Sequence, residues 1–245
     1  MQIGGKAAIV TGAAWGIGRA IATALAAEGA SVVVADLDEE AGSKVAAELE
    51  GATFVRADVS SEDDVPRLIA RAGGVDILVN NACQGKPPPY FPDTPVTEWS
   101  SVLDVCLRGT MLCTYYAVAK MRGRGGAIVN ISSSAGLGDH PHVFREYATA
   151  KAAVIRLTQC LGPLAEEGIR VNCVAPDWTA TERVLERFEP DARNGFGRRP
   201  PERLLEPAEV AGAVLDLNRD DSLAGRTLVL RGGEPTHLLP DDRWE

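Results

Sequence analysis

Short apolar runs alternate along the chain with longer segments in which apolar residues recur at helical spacing. Runs of this length that are rich in valine and isoleucine predict buried strands, and the periodic segments between them predict helices. The predicted strands are Ala7–Val10, Ser31–Ala35, Thr53–Val55, Val75–Val79, Ala127–Ile131, Ile169–Val174 and Thr227–Leu230. The helices with the clearest periodicity are Gly16–Glu28, Glu39–Leu49 and Glu62–Ala72.

The regular alternation of strands and helices predicts parallel crossovers, because a helix between two strands returns the chain to the end of the sheet where it started. We therefore expect a doubly wound α/β fold, with a seven-stranded parallel sheet and helices on both faces. The chain contains no internal repeat and no long linker, so residues 1–245 are predicted to form a single domain.

Two segments interrupt this rhythm and follow the carboxyl ends of predicted strands. Lys86–Pro95 contains five prolines, which predicts an irregular loop. Arg183–Pro207 is charged and contains several glycines and prolines, and we expect a substrate flap with one short helix there. In open α/β sheets, ligands bind beyond the carboxyl ends of the strands. Both segments are therefore predicted to line the binding site.

Composition narrows the classes of protein that fit this pattern. The chain has 245 residues, of which 45% are hydrophobic and 24% charged, and its net charge is −9. Sequence-independent nucleic-acid binding needs a basic surface, whereas backbone amides can hold a nucleotide phosphate without one. We expect a small-molecule substrate and no nucleic-acid partner. No apolar run approaches about 20 residues, so no membrane span is expected either.

The cysteines do not follow a metal-ligand spacing, and most of them lie within apolar runs, which predicts buried free thiols and no metal site. They are Cys83, Cys106, Cys113, Cys160 and Cys173. Free thiols suit a reducing compartment. The segment before Ile9 is short and glycine-rich, unlike a signal peptide, so a cytoplasmic location is expected.

A glycine-rich segment, Thr11–Gly18, separates the first predicted strand from the first predicted helix. Gly12, Gly16 and Gly18 allow a sharp turn and let backbone amides approach a pyrophosphate at the helix N-terminus. Tight turns alone can produce a cluster with this Gly-x3-Gly-x-Gly spacing. It is the position between strand and helix that indicates a dinucleotide site.

The second predicted strand runs into Asp36, eighteen residues after Gly18. A carboxylate at this place can accept hydrogen bonds from both ribose hydroxyls and repels a 2′-phosphate. The alternative is a turn or helix-capping role, since Asp38 follows closely. Neither Trp15 nor Leu37 offers the positive charge that a 2′-phosphate needs, so the sequence favours NAD over NADP.

Candidate chemistry lies at Tyr147-Ala-Thr-Ala-Lys151, where the spacing of four puts Tyr147 and Lys151 on one helix face. A free tyrosine has a pKa near 10, and a neighbouring ammonium lowers it, so the pair can exchange protons with an alcohol. Such pairs are also common on solvated helices. The preceding strand favours a catalytic role for the pair. Ser132-Ser133-Ser134 adds hydroxyls at the carboxyl end of that strand, and these can hydrogen-bond to a reacting oxygen.

Taken together and in this order, these motifs resemble the short-chain dehydrogenase/reductase family over nearly the whole chain. The segments that carry the resemblance are Thr11–Gly18, Asn80-Asn81-Ala82, Ser133 with Tyr147-x-x-x-Lys151, Arg170-Val171-Asn172 with Pro176, and Gly232-Gly233. The resemblance implies a Rossmann-type fold and a homo-oligomer, a tetramer or a dimer. It also implies an oxidoreductase that transfers a hydride between a nicotinamide cofactor and a secondary alcohol or ketone.

The resemblance further implies roles for individual residues. Tyr147 would be the acid/base, Lys151 would bind ribose and lower the pKa of Tyr147, and Ser133, rather than Ser132 or Ser134, would orient the carbonyl. Asp58 and Val59 resemble the pair that contacts adenine, Asn80 follows the fourth strand near the ribose, and Thr179 and Thr181 would lie near the nicotinamide amide. The predicted cofactor-binding residues are Gly12, Trp15, Gly16, Ile17, Gly18, Asp36, Asp58, Val59, Asn81, Tyr147, Lys151, Pro176, Thr179 and Thr181.

Several positions differ from the family pattern. Cys106 stands where the family has an asparagine that kinks its helix and holds a water in a proton relay to the lysine; a thiol is a weaker hydrogen-bonding group. Cys83 and Asp177 each replace a glycine, and an ionised Asp177 near the nicotinamide would favour the oxidised ring. Gly162-Pro163 interrupts the helix after Lys151, which commonly builds the family's tetramer interface.

The segment before Tyr147 leaves two interpretations open. His140-Pro141-His142 is either a substrate contact or a plain loop. Arg145 and Glu146 are placed where they can face the substrate, which would suit a polar or acidic compound.

Three functional hypotheses follow from the sequence. The first is an NAD-dependent dehydrogenase or ketone reductase for a small-molecule secondary alcohol. The second is a cofactor-binding relative with little or no turnover, which Cys83, Cys106 and Asp177 together suggest. The third, an NADPH-dependent ketoreductase, is disfavoured by Asp36.

Overall fold

The computed structural model describes residues 1–85, 88–138, 142–186 and 203–240. Its centre is one eight-stranded sheet with the order β3-β2-β1-β4-β5-β6-β7-β8. Neighbouring strands from β3 through β7 are parallel, and only β7 and β8 pair antiparallel. The strands are β1 Ala7–Thr11, β2 Ser31–Asp36, β3 Thr53–Arg56, β4 Ile77–Asn80, β5 Gly126–Ile131, β6 Ile169–Pro176, β7 Thr227–Leu230 and β8 His237–Leu238.

The sheet confirms the predicted doubly wound fold. All seven predicted strands are present and parallel, with ends within two residues of the prediction. The structure adds β8, a two-residue edge strand that the pattern does not predict because it is too short to show a period. Strand order reverses between β1 and β4, which is the point where open α/β sheets form a ligand crevice.

Eight α-helices occur in the described part of the chain. They are α1 Gly16–Ala27, α2 Glu39–Glu48, α3 Asp64–Arg71, α4 Val96–Leu103, α5 Gly109–Met121, α6 Arg145–Cys160, α7 Glu182–Glu186 and α8 Pro207–Arg219. A π-helical turn, Asp104–Arg108, joins α4 to α5 without a break. The helix α6 ends at Cys160, where Gly162–Glu167 forms a 3-10 helix, so the proline at 163 ends the helix as the sequence suggests.

The helices cover both faces of the sheet and create two apolar cores. On one face, α1, α2 and α8 bury residues such as Leu25, Val45 and Val214 against the sheet. On the other, α3 and α5 bury residues such as Leu68 and Met121. Both faces of β1, β4, β5 and β6 are therefore covered, which explains why these strands are buried almost continuously and are mostly apolar rather than alternating.

The segment Val96–Met121 forms a 26-residue helix that, among the described residues, is long and apolar enough by composition to cross a membrane. The sequence pattern did not reveal it, because Asp104 and Arg108 interrupt its apolar residues. Its second half packs on the sheet, with Cys113, Ala117 and Met121 in the core. A core helix of a globular domain satisfies the same length and hydropathy criteria.

A chain of buried side-chain hydrogen bonds ties the middle of the sheet to the helices. The amide nitrogen of Asn80 on β4 donates to Asn130 Oδ1 on β5 at 2.9 Å and to Thr114 Oγ1 on α5 at 3.0 Å. Asn130 Nδ2 donates in turn to Thr158 Oγ1 on α6 at 3.0 Å. All four side chains are buried, so each depends on the others for hydrogen bonding.

We predict that Asn130→Ala lowers the free energy of unfolding by about 2–4 kcal/mol, because it leaves the buried Asn80 and Thr158 side chains each short of a partner and opens a small cavity. Urea denaturation followed by circular dichroism measures this. Gln2→Ala, which changes an exposed amide, is the control and is expected to stay within about 0.5 kcal/mol of wild type. Equal stability of Asn130→Ala and the control would contradict the assignment.

Candidate active site

One cavity of about 770 Å³ opens at the carboxyl ends of β1, β2, β4, β5 and β6. Every residue predicted from the sequence to bind the cofactor or to carry the chemistry lines it. They are Gly12, Trp15, Gly16, Ile17, Gly18, Asp36, Asp58, Val59, Asn81, Ser133, Tyr147, Lys151, Pro176, Thr179 and Thr181. The structure thus brings together positions that lie up to 169 residues apart in the sequence.

The glycine-rich turn after β1 is fixed to the end of β4 by the side chain of Asn81. Its amide nitrogen donates to the carbonyl oxygens of Thr11 and Gly12, at 2.9 Å each. A Cβ atom at Gly18 would lie 2.1 Å from the Gly12 carbonyl oxygen and 2.5 Å from Asn81 Nδ2. Gly18 is therefore required by the close approach of α1 to this turn, which brings the N-terminus of α1 into the cavity.

The carboxylate of Asp36 lies at the end of β2, beside this turn. It accepts hydrogen bonds from the backbone N–H groups of Ala14 at 3.0 Å and Asp38 at 3.1 Å. The helix-capping role belongs to Asp38 instead, since its side chain accepts from Ala41 N at the start of α2. The cations that line the cavity within the described ranges are Lys151 and Arg183, and neither is a neighbour of Asp36 along this wall.

The wall beyond Asp36 is formed by Asp58 and Val59. The carboxylate of Asp58 accepts from Ser60 N and Ser60 Oγ, at 2.9 and 2.6 Å, so this turn is held by its own side chains. Val59 packs closely against Gly109 at the start of α5, where a Cβ atom would lie 2.7 Å from Val59 Cγ2. The turn is therefore a rigid, partly apolar surface.

On the opposite wall, α6 presents Tyr147 and Lys151 on one face. Lys151 is 3% exposed, and its Nζ donates to the carbonyl oxygen of Ile131 at 2.8 Å and lies 5.5 Å from the centre of the Tyr147 ring. An interaction with the Ser133 side chain lowers the pKa of Tyr147. A hydroxyl, a phenol and an ammonium thus meet at the carboxyl end of β5.

Burial and neighbouring charges shift the pKa of Tyr147 in opposite directions, and the same holds for the pKa of Lys151. Burial raises the pKa of Tyr147 to about 12, while the Lys151 ammonium opposes that rise. Burial favours the neutral form of Lys151, yet the charges of Tyr147 and of nearby thiols outweigh burial and raise the pKa of Lys151 to about 12. Lys151 therefore remains a cation at neutral pH, and the phenol is protonated until a further interaction favours the phenolate.

The three consecutive serines after β5 have three different environments. The hydroxyl of Ser132 is buried and donates to the Lys151 carbonyl oxygen at 2.7 Å, and that of Ser134 donates to Asp177 Oδ1 at 2.7 Å. Ser133 Oγ accepts from Ala135 N at 3.2 Å and faces Tyr147. Of the three, Ser133 is the one whose hydroxyl is directed towards the phenol.

Cys106 lies in the π-helical turn and contacts the cavity wall through Gln84. Gln84 N donates to the Cys106 sulfur at 3.3 Å, and the thiol lies 3.6 Å from the Gln84 carbonyl oxygen. The distorted helix turn therefore exists with a cysteine at this position. Burial raises the pKa of Cys106 to about 11, so the sulfur is a neutral thiol at neutral pH rather than a nucleophilic thiolate.

The loop after β6 closes the site over the glycine-rich turn. Thr179 Oγ1 donates to the Asp177 carbonyl oxygen at 3.0 Å, and Thr179 pairs with Leu205 in a short parallel bridge. A Cβ atom at Gly16 would lie 2.9 Å from the Thr181 side chain. This contact sets Thr181 directly across from the start of α1.

Several expectations are wrong in detail. Asn80 does not line the cavity, because its side chain is held inside the sheet by Asn130 and Thr114. Arg145 is exposed and donates to the Phe91 carbonyl oxygen at 2.7 Å, away from the cavity wall. Only three of the five cysteines are buried, since Cys83 and Cys160 are exposed.

His142 lines the cavity, whereas His140 and Pro141 lie outside the described residues, as do residues 187–202 of the predicted flap. The described part of the flap contains α7. Sequence reasoning gave no role to Gln84, Phe144, Trp178 or Val184, which also line the cavity. Their position two to four residues from strand ends or motif residues is the one signal that could have found them. No group of three metal-ligating side chains occurs within the part of the chain described here.

Known proteins share this sequence over almost its full length. Residues 6–192 match the family model described as short chain dehydrogenase. The L-fucose dehydrogenase of Oryctolagus cuniculus is 38% identical over 253 residues, covering 97% of this chain and 88% of that protein. The cis-4-hydroxycyclohexanecarboxylate dehydrogenase of Sinomonas cyclohexanicum is 38% identical over 240 residues, covering 93% and 96% of the two chains.

A solved structure has the same fold over almost the whole chain. The 7 alpha-hydroxysteroid dehydrogenase complexed with NADH and 7-oxo glycochenodeoxycholic acid superposes with a TM-score of 0.85 at 32% identity, covering 95% of each chain. The family match, the relatives and the doubly wound fold agree over the same residues. The chain belongs to the short-chain dehydrogenase/reductase family.

Proposed function

We propose that this protein is an NAD-dependent dehydrogenase that oxidises a small-molecule secondary alcohol and, in reverse, reduces the ketone. The observation that carries the proposal is the meeting of Ser133, Tyr147 and Lys151 in the same cavity that reaches Asp36 and the glycine-rich turn. Family membership supports an oxidoreductase with a nucleotide-binding Rossmann fold. The names of the relatives support alcohols as substrates.

The cavity fits a dinucleotide along its length. Gly12 and Gly18 let the glycine-rich turn, the start of α1 and the end of β4 approach one another closely, and the N-terminus of α1 then offers backbone amides to a pyrophosphate. Asp36 offers its carboxylate to the ribose hydroxyls, and Asp58 and Val59 form the wall where the adenine would lie. Pro176, Thr179 and Thr181 would border the nicotinamide. The negative charge of Asp36 supports NAD over NADP.

The protein's own groups would handle the proton. A bound NAD would supply the hydride acceptor for the carbinol carbon, and the positive charge of its oxidised ring would favour the phenolate form of Tyr147. Tyr147 Oη removes the hydroxyl proton of the alcohol, while Ser133 Oγ donates a hydrogen bond to the same oxygen. In the reverse direction Tyr147 returns this proton to the carbonyl oxygen.

Lys151 has an electrostatic role in this scheme. Its ammonium is buried next to Tyr147 and opposes the effect of burial on the tyrosine's pKa. The bond from Lys151 Nζ to the Ile131 carbonyl oxygen fixes the position of the charge, so that the remaining N–H groups are available to a ribose hydroxyl.

The other hypotheses predict different behaviour. A cofactor-binding relative without turnover is suggested by Cys83, Cys106 and Asp177 together. The hydrogen bonds between Cys106 and Gln84 argue against a site disabled by the thiol, since they hold the wall in place. An NADPH-dependent ketoreductase would need a cation near Asp36, where Ala14 and Asp38 amides approach instead.

For the location, oligomeric state and partners of the protein, our proposal is the one that the sequence predicts. We propose a cytoplasmic homo-oligomer, dimer or tetramer, with a small molecule as its substrate and neither nucleic acid nor membrane as a partner. The net charge of −9 and the buried position of much of the long helix Val96–Met121 support this view. Sedimentation velocity of the purified protein measures the oligomeric state directly.

We predict that Tyr147→Phe lowers kcat by at least about a hundredfold while NADH still binds, because the proton acceptor is lost and the ring is kept. NADH formation at 340 nm across a panel of secondary alcohols, including L-fucose and cis-4-hydroxycyclohexanecarboxylate, measures turnover. Tyr115→Phe, which changes an exposed tyrosine, is the matched control. Undiminished activity of Tyr147→Phe would refute the assignment.

We predict that Asp36→Asn raises the ratio of kcat/KM for NADPH to that for NADH by about tenfold or more, because it removes a charge that repels a 2′-phosphate. Initial rates of ketone reduction with each cofactor give the ratio. Glu39→Gln removes an exposed negative charge nearby on α2 and shows how much the loss of any nearby charge changes this ratio. A ratio that moves equally in both variants would count against a ribose-binding Asp36.

We predict that Cys106→Asn changes kcat by less than about tenfold, because the thiol already bonds the Gln84 backbone that borders the cavity. The comparison uses the same alcohol panel, with Cys160→Ser as the control at an exposed cysteine. If wild type were silent and Cys106→Asn active on that panel, the natural protein would instead be a cofactor-binding relative with weakened chemistry.

A further inference from the structure

The cavity contains a carboxylate that the proposed proton transfer does not use. Asp177 follows Pro176 at the end of β6 and lines the cavity. Its Oδ1 accepts a hydrogen bond from Ser134 Oγ at 2.7 Å, and its backbone N–H donates to the Leu230 carbonyl oxygen at 2.9 Å. Both bonds fix the orientation of the side chain. Within the described residues, Oδ2 makes no hydrogen bond, and the Asp177 side chain is partly exposed.

The position of Asp177 relative to the reacting groups follows from Ser134. Ser134 is the next residue after Ser133, whose hydroxyl faces Tyr147. A carboxylate bonded to Ser134 is therefore one residue away from the hydroxyl that would hold the reacting oxygen. Asp177 and Ser133 both line the cavity, so Asp177 can accept a hydrogen bond from a further hydroxyl group of a substrate bound there.

A second carboxylate lines the same cavity from α6. Glu146 is only 5% exposed, and its Oε2 accepts from Phe91 N at 3.4 Å, a long contact. Its Oε1 is buried without a hydrogen-bond partner. A buried acceptor that lacks a donor is costly, and because Glu146 lines the cavity, rotation of its side chain towards a ligand hydroxyl would supply the missing donor.

The remaining wall at this end is aromatic. Phe144, His142 and Trp178 line the cavity near Tyr147, and the rings of His142 and Phe144 lie 5.7 Å apart. A cation at Arg145 could bind an acidic substrate, but this side chain donates a hydrogen bond to the Phe91 carbonyl oxygen instead. Aromatic faces with carboxylate acceptors suit a ring that bears several hydroxyl groups, because such a ring has both apolar C–H faces and polar donors.

We propose that the substrate carries hydroxyl groups in addition to the one oxidised, and that Asp177 and Glu146 recognise it by accepting hydrogen bonds from these hydroxyls. The proposal rests on the proposed alcohol dehydrogenase activity and specifies its substrate class: a neutral, ring-shaped polyol. A carboxylate-bearing substrate is disfavoured, because two acceptor-only groups face it. A ring with a single hydroxyl offers no further donor to Asp177 Oδ2 or to Glu146 Oε1.

Three ring alcohols of the same size provide the test: cyclohexanol, 1,2-cyclohexanediol and cis-4-hydroxycyclohexanecarboxylate. The diol is assayed as separate cis and trans isomers. For wild type we expect kcat/KM for the better diol isomer to exceed that for either other compound by about tenfold or more, as for loss of a hydrogen bond to a charged group. NADH formation at 340 nm with saturating NAD gives all values.

Variants of the two carboxylates test which residues cause the preference for the diol over cyclohexanol. Asp177→Asn keeps the shape and an acceptor for Ser134 but replaces the free carboxylate oxygen by a donor, and we expect the diol-to-cyclohexanol ratio to fall by about tenfold. Glu146→Gln is expected to lower the same ratio and serves as the second variant if Asp177→Asn folds poorly. Asp63→Asn, which changes an exposed carboxylate outside the cavity, is the matched control and should keep the wild-type ratio.

The outcomes separate the two levels of the proposal. Oxidation of cyclohexanol without a preference for either diol overturns the polyol inference and leaves the dehydrogenase assignment standing. Absence of turnover with every alcohol tested overturns both. If Asp177→Asn changes the relative affinities for NAD and NADH, measured by NADH fluorescence and by competition, but leaves the diol ratio unaltered, then Asp177 acts on the cofactor ring and the inference is wrong.

Discussion

The buried ammonium of Lys151 is the constraint on which the site is organised. A cation that is 3% exposed must be compensated, and here the Ile131 carbonyl oxygen and the Tyr147 ring are its neighbours. Because Ser132 also bonds to the Lys151 backbone, the end of β5 and the helix α6 are joined at two points. The phenol, the serine hydroxyl and the charge therefore have fixed relative positions before any ligand arrives.

These fixed positions separate the residues assigned to proton transfer from those assigned to substrate recognition. The reacting oxygen must meet a proton acceptor and a donor at once, and groups on rigid elements reach that geometry without reorganisation. Substrate selection is assigned to other residues, such as Asp177 and Glu146, at the loop after β6 and the start of α6. The groups assigned to proton transfer and those assigned to recognition thus occupy adjacent but separate parts of one cavity.

Much of this arrangement is predictable from sequence, and what is not has a physical reason. Val- and Ile-rich runs located the seven parallel strands because burial on both faces favours apolar residues at most of their positions. The cavity-lining residues were found because motif residues follow strand ends. By contrast, the bonds Ser134–Asp177 and Phe91–Glu146 join residues 43 and 55 positions apart, so spacing does not show them. Asn80 was misplaced because its side chain bonds within the sheet, which the motif does not reveal.

The π-helical turn at Asp104–Arg108 determines more than the local helix shape. Such a turn accommodates roughly one residue more than an α-helical turn, so it rotates everything that follows by about 100°. The core-facing side of α5, with Cys113 and Ala117, is thus set by chain length at this point rather than by the side chain at position 106. The segment should consequently tolerate exchange of residue types far better than insertion or deletion. The helix register is therefore kept with a cysteine at position 106.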